Sequence, residues 1–174
     1  KAGRPFFLYL AFAAVHNPIN PAPECRQKSK AGLYGDYAEQ LDHCTGLVLD
    51  ALEKHGLARD TLVIFTSDNG GLSTSEGWPT SNLPFRGGKG WMYEGGIREP
   101  LLVRWPGMIK PGLVVSTPVS SPDFFPTLLE AAAAKPAPGQ KIDGVSLLPL
   151  LRGKALAERA TKAGLTWPLP ADLD

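Results

Sequence analysis

A surplus of one charge sign is missing from this chain: its 174 residues carry 18 lysines and arginines against 17 acidic residues, a net charge of +1. So even a balance leaves no electrostatic footprint for nucleic acid or an anionic membrane, and any anion must be held by a local site. Long apolar runs are missing too. None reaches the roughly 20 residues needed to cross a bilayer. The nearest, Phe6 to Val15, is short and leads into a Pro-rich loop. Lys1 and Arg4 ahead of it imitate a secretory leader, but no small-residue cleavage site follows. Cysteine is scarce. Cys25 and Cys44 stand at a spacing that fits no zinc or redox motif, and they read as one loop thiol and one packed helix thiol. Their bonding and the compartment stay open.

What is present suits an ordinary globular domain with its own core: 43% hydrophobic and 20% charged residues. The pattern alternates between strands and helices. Pro5 to Ala14 is nearly continuous in apolar residues, as in a parallel strand buried on both faces, and His16-Asn-Pro-Ile-Asn-Pro-Ala-Pro23 breaks it into a loop. From Tyr34 to His55 the period turns helical, with Tyr37, Leu41, Cys44, Val48, Ala51 and Leu52 on one face and Gly56 placed to end it. Thr61 to Thr66 is a β-branched strand running into Ser67-Asp-Asn-Gly-Gly71. Residues 70–99 show no period, and so long a loop inside a compact domain is usually functional. Pro100 to Trp105 resumes as a strand. Ser121-Pro122-Asp123 starts a helix to Ala134, with Ser121 as cap. A short helix over Ser146–Leu151 follows. The order predicts an α/β fold whose ligand crevice lies at strand ends.

A strand buried on both faces needs neighbours on both sides, and few other good strands are present to supply them. The expectation is therefore that further sequence precedes Lys1 and that the fold is incomplete at its N-terminus. Two domain segments are expected: 1–153, the body of the domain, and 154–174, an irregular tail or the start of another subdomain.

Three places carry chemistry. Asp68-Asn69 at a strand end offers a carboxylate and a side-chain carbonyl, hard oxygen donors suited to Ca²⁺ or Mg²⁺; taken alone, the dipeptide reads more readily as a turn. Gly87-Gly-Lys89-Gly90 lets backbone approach a bound group and adds a compact positive charge, yet it lacks the full phosphate-loop pattern. His16 directly follows the first apolar run, where an imidazole can contact an oxyanion or protonate a leaving alkoxide. His43 and His55 read as solvated or capping residues on the helix.

Read together, Thr66-Ser-Asp-Asn-Gly-Gly71 and Phe85-Arg-Gly-Gly-Lys-Gly-Trp-Met-Tyr-Glu-Gly-Gly-Ile-Arg-Glu-Pro100 resemble the sulfatase family of the alkaline phosphatase superfamily. Pro5-Phe-Phe-Leu-Tyr-Leu ahead of His16-Asn-Pro18, Trp105-Pro-Gly107, Asp123-Phe-Phe-Pro-Thr-Leu-Leu129 and Asp143-Gly-Val-Ser-Leu-Leu-Pro149 extend the likeness, in order, over residues 4–153. The resemblance implies a partial alkaline-phosphatase-like sandwich with a mostly parallel sheet flanked by helices. It makes Asp68 and Asn69 metal ligands, usually to Ca²⁺ with Mg²⁺ as the alternative. Lys89 becomes the sulfate-binding lysine, and His16 the histidine that binds sulfate and assists the leaving group. Glu94, Arg98 and Glu99 are expected to hold the lysine loop in shape. The implied partner is a sulfated small molecule or sulfated glycan, with no nucleic acid and no membrane span. The implied compartment is periplasmic, secreted or lysosomal.

The resemblance is partial. Sulfatases use a formylglycine made from a Cys/Ser-x-Pro/Ala-x-Arg motif. Here Cys25 is followed by Arg-Gln-Lys-Ser and Cys44 by Thr-Gly-Leu-Val. The family's earlier pair of metal-binding aspartates is absent too, so this chain alone is expected to bind metal weakly and to be inactive. Two rivals remain. One is a phosphodiesterase or phosphonate hydrolase of the same superfamily. The other is a non-catalytic pseudoenzyme that binds sulfated glycans. Trp78, Trp91 and Tyr93 read either as a stacking surface for a sugar or aromatic ring, or as loop anchors.

Overall fold

In this computed structural model the described residues are 3–73, 80–154 and 156. The longest element is α1 (Gly32–Lys54), followed by strand β1 (Val63–Thr66), a single-turn helix α2 (Glu94–Ile97), strand β2 (Leu101–Arg104), α3 (Phe124–Ala131) and α4 (Leu148–Leu151). Short 3₁₀ turns lie at Pro23–Cys25, Ala58–Asp60 and Ser121–Asp123. β1 and β2 pair in a two-stranded sheet. The chain forms two compact units, one from residues up to Ala58 with Phe65–Leu101, the other from Arg59–Ile64 with residues from Leu102 onward.

In the first unit, α1 forms where the apolar period predicts it. Tyr37 and Leu52 are buried and Leu41, Cys44 and Val48 are half-buried, while Ala51 turns out to be exposed. The helix stops at His55, and Gly56 adopts φ +64°, left-handed geometry that costs glycine least. At its other end Asp36, 2% exposed, accepts the backbone N–H groups of Gln27, Lys28 and Ser29 at 2.7, 2.9 and 2.7 Å. The Gln40 side chain accepts from the Ala22 N–H at 2.7 Å. These bonds fasten the end of the Pro-rich loop and the segment after it, residues 22–29, onto the helix. Cys25 lies in the first 3₁₀ turn and Cys44 on α1, both as free, half-buried thiols. His43 and His55 are exposed.

The first apolar run does not form the expected buried strand. Residues 5–13 have no regular structure, and Phe7 and Tyr9 are 74% and 82% exposed. The reason is physical: a strand exists through its ladder, and among the described residues β1 and β2 pair only with each other. Composition suited to burial does not supply a partner.

In the second unit, the expected helix start at Ser121–Asp123 is a 3₁₀ turn capped one residue earlier than the sequence suggests, and α3 itself runs from Phe124 only to Ala131, short of the expected Ala134. Ser120 is the cap, and its backbone N–H donates to Asp123 Oδ2 at 2.8 Å. Asp123 is buried and also accepts the Val145 N–H at 3.0 Å, while Thr127, 1% exposed, accepts the Leu147 N–H at 2.8 Å. These two side chains staple residues 145–147 against α3, where Leu147, Leu148 and Leu150 form the buried apolar cluster. The expected tail from 154 onward lies almost wholly outside the described residues.

Candidate functional site

The four residues singled out by the sequence all fall in the first unit. His16 ends the turn after the apolar run, with its N–H bonded to the Ala13 carbonyl at 2.9 Å. Asp68 and Asn69 follow β1 directly, Asp68 exposed and Asn69 half-buried. Lys89 sits in the glycine-rich loop ahead of α2.

Two of them meet. Lys89 Nζ lies 2.8 Å from His16 Nε2, and His16 Nδ1 lies 2.8 Å from the Asn17 carbonyl oxygen. A carbonyl only accepts, so Nδ1 carries the proton. An ammonium only donates, so Nε2 presents its lone pair to Lys89. The two contacts together match the Nδ1–H tautomer, whose Nε2 receives a hydrogen bond from Lys89. A cavity of about 450 Å³ opens beside the pair, lined by His16, Asn17, Pro18, Asn20 and Tyr37.

The lysine loop is packed directly onto the Asp68-Asn69 turn. The Gly71 carbonyl accepts the Lys89 N–H at 3.0 Å, the Gly70 N–H donates to the Gly96 carbonyl at 3.1 Å, and the Gly95 N–H donates to the Arg86 carbonyl at 2.8 Å. A side chain at Gly70 would collide with the Gly95 carbonyl, and one at Gly96 would collide with the Trp91 and Gly88 carbonyls. The glycines are needed because backbone lies on backbone here. This also explains α2. Gly95 and Gly96 are poor helix formers, and no helical period marks them, but tertiary contact holds the turn.

Arg98 binds Glu94 at 2.9 Å and places its guanidinium 4.5 Å from the centre of the Phe85 ring. This much of the expected network forms. Glu99 plays a different part. Burial, and then the negative charge of Asp68, push its carboxyl above the usual range. Asp68 and Asn69 themselves bring a carboxylate and a side-chain carbonyl, hard oxygen donors of the kind a divalent cation takes. The set is incomplete. Among the described residues no three His, Cys, Asp or Glu side chains gather to hold a metal ion.

Tyr93 stacks on Trp91 (centroids 6.2 Å apart, planes 17° apart) and carries Arg86 3.9 Å above its ring. Both aromatics thus serve as loop anchors, with Trp91 still 53% exposed. Trp78 lies outside the described residues. Sequence reasoning missed Asn82, whose amide Nδ2 donates to the Gly71 and Gly87 carbonyls at 2.8 and 3.1 Å. A lone Asn in a loop carries no periodic or motif signal of its own.

The family model described as Sulfatase matches residues 1–134. Mouse (Mus musculus) steryl-sulfatase is 47% identical over 157 residues, covering 87% of this chain and 25% of that protein. A sulfatase of Formosa agariphila is 42% identical, covering all of this chain and 34% of that protein. Among solved structures, Ps i-CgsB in complex with k-i-k-neocarrahexaose superposes with a TM-score of 0.78 at 34% identity, covering 87% of this chain and 35% of that one. The chain therefore spans a quarter to about a third of the proteins it matches, within the same α/β, alkaline-phosphatase-like fold.

Proposed function

This chain belongs to the sulfatase family, and on that premise we propose that its polypeptide hydrolyses sulfate esters, with this segment supplying part of the sulfate and metal site. The observation that carries the reading is the Lys89–His16 contact, which joins an ammonium to an imidazole at 2.8 Å in the loop packed against Asp68-Asn69.

The residue types suit the reaction. A sulfate ester spreads its negative charge over non-bridging oxygens, and cleavage of the S–O bond to the alcohol leaves an alkoxide or phenoxide. Lys89 neutralises the non-bridging oxygens. His16 has a fixed ring, because Nδ1–H is tied to the Asn17 carbonyl. With the Lys89 ammonium turned to the sulfate oxygens, Nε2 takes a proton from solvent and delivers it to the departing oxygen as the S–O bond breaks, so the ring ends in the form in which it began. Neither group needs to move far, and fixed charge of this kind lowers the barrier by several kcal/mol, roughly. The cavity beside His16 receives the alcohol portion, a sulfated sugar or other sulfated small molecule.

Enzymes of this family use a metal ion and a formylglycine. Asp68 and Asn69 are the residues of this chain that would hold the metal, which we take to be Ca²⁺ with Mg²⁺ as the alternative. The ion supplies positive charge to the sulfate oxygens when bound. Ca²⁺ takes six to eight oxygens, roughly, and this pair provides only a fraction of them. No Cys/Ser-x-Pro/Ala-x-Arg motif occurs in the chain. The isolated segment is accordingly inactive, and the nucleophile belongs to another part of the polypeptide.

The test is a paired assay of the complete polypeptide on an aryl sulfate, a phosphate diester and a phosphonate monoester, with and without a chelator. Chelator-sensitive turnover of the sulfate above the other two supports the reading. Preference for either phosphorus ester would move the protein to the phosphodiesterase or phosphonate hydrolase reading. Binding of sulfated glycans without turnover would leave a pseudoenzyme.

A further inference from the structure

We propose that Asn82 is a positioning residue that sets the spacing between the Asp68-Asn69 turn and the Lys89 loop, so that the metal and sulfate sites are held as one unit. The inference rests on the reading of Asp68, Asn69 and Lys89 given above.

The geometry is specific. Both hydrogens of the Asn82 amide are used, one on the Gly71 carbonyl at 2.8 Å and one on the Gly87 carbonyl at 3.1 Å. Gly71 ends the metal turn and Gly87 opens the lysine loop. Because both partners are carbonyls, the amide must present its NH₂ and not its oxygen. The Gly71 oxygen also receives the Lys89 N–H at 3.0 Å. One atom thus collects the side-chain clip and the backbone of the sulfate lysine, and its two lone pairs are both engaged. The fit is tight. A side chain at Gly71 would meet Asn82 Oδ1 at 2.7 Å, and one at Gly88 would meet Asn82 Nδ2 at 2.8 Å. The amide therefore lies flush against both glycine pairs. It touches neither sulfate nor metal in this scheme, and acts only through the two loops it ties.

The chemistry of substitution follows. Asn82→Ala leaves two carbonyls without their donor. Asn82→Asp faces the same carbonyls with a carboxylate and drives the loops apart, although its size is unchanged. Asn82→Ser retains one hydroxyl donor and falls between them. Thr80→Ala is the structural control: its hydroxyl bonds the Leu72 carbonyl at 2.9 Å in the same stretch of chain.

Each variant is made in the complete polypeptide and examined by three measurements: the Ca²⁺ concentration giving half-maximal turnover, the inhibition constant of inorganic sulfate, and the unfolding temperature. Asn82→Ala and Asn82→Asp are expected to weaken calcium and sulfate together by about tenfold or more, with kcat falling, as for other groups that orient ligands from behind. Asn82→Ser is expected to recover part of both. Thr80→Ala is expected to lower the unfolding temperature while leaving the two constants unchanged. Retention of both constants within about twofold in Asn82→Ala and Asn82→Asp overturns the inference. So does a Thr80→Ala protein that loses both to the same extent, since the effect would then be loop stability alone. Asp68→Ala separates the premise from the inference. If it leaves calcium dependence intact, the metal assignment fails, while the sulfate constants of the Asn82 variants still decide the lysine half of the clip.

Discussion

His16 and Lys89 stand 73 residues apart in the chain, yet their side chains form one hydrogen bond, Nζ to Nε2, at 2.8 Å. The contact links the end of the first apolar run to the glycine-rich loop. It also fixes the tautomer of the imidazole, because the Asn17 carbonyl holds Nδ1–H. Each partner orients the other: the histidine limits where the flexible lysine stem can go, and the ammonium occupies the Nε2 lone pair that the Asn17 bond leaves as the acceptor.

That coupling gives the first prediction. In the complete polypeptide, His16→Ala and Lys89→Ala are each expected to lower kcat/KM for an aryl sulfate by about 10²- to 10³-fold, the loss typical of one positioned electrostatic group. The double variant is expected to lose less than the product of the two. The measurement is a double-mutant cycle on kcat/KM, with a coupling of about 0.5–3 kcal/mol expected for residues in contact. Strict additivity would mean that the two side chains act apart.

Much of this arrangement was legible in the sequence, and the failures have a common cause. The period of Tyr37, Leu41, Cys44 and Val48 marks α1 because helical burial repeats along the chain itself. The β-branched run through Val63, Ile64 and Phe65 marks β1 for the same local reason, and Gly56 marks the helix end. Phe6 to Phe12 misled because a strand's hydrogen bonds come from elsewhere, and an apolar run cannot say whether a ladder is present. Glu94 to Ile97 was illegible in the opposite sense. Its two glycines argue against a helix, and only the approach of Gly70 and Arg86 makes one. The candidates His16, Asp68, Asn69 and Lys89 were picked out by residue type and motif. That Lys89 reaches His16 and that Asn82 ties the loops are tertiary facts with no local signal.

Asp36 supplies a pH prediction. Its carboxyl is held below the ordinary value of 3.8, chiefly by the Ser29 N–H, aided by the N–H groups of Lys28 and Gln27 and the Lys28 charge, with burial opposing. A carboxyl depressed in the folded state contributes stability above its unfolded pKa and loses it as pH falls through the folded value. Asp36→Asn is therefore expected to be less stable than the parent at about pH 7. The gap should close as pH falls below the ordinary carboxylate range toward about pH 2. Thermal unfolding of both proteins across that range checks it, and a gap that widens on acidification would contradict the sign.

Gly70 tests the packing behind the site. A methyl group there would run into the Gly95 carbonyl, and neither side of that contact is a flexible side chain. Gly70→Ala is expected to cost about 1–3 kcal/mol of stability, as overpacking does. Because the strain falls on the turn carrying Asp68 and Asn69, the variant should also need more divalent cation for turnover. Urea unfolding and a calcium titration, run on the same preparation, read the two effects separately.

Thr127 tests the second unit independently of any chemistry. Its hydroxyl donates to the Asp123 carbonyl at 2.6 Å and accepts the Leu147 N–H at 2.8 Å, at 1% exposure. Thr127→Val keeps the shape but leaves the buried Leu147 N–H without its acceptor. Loss of such a partner costs about 1–3 kcal/mol. Thr127→Ser keeps the hydroxyl and loses only a methyl group, at a cost nearer 1 kcal/mol. If the hydrogen bonds hold residues 145–147 to α3, valine is the worse substitution in urea unfolding. If packing of the methyl dominates, serine is worse and the polar staple is secondary. Since Thr127 lies outside the unit that carries His16 and Lys89, kcat per folded molecule should be the same in both variants.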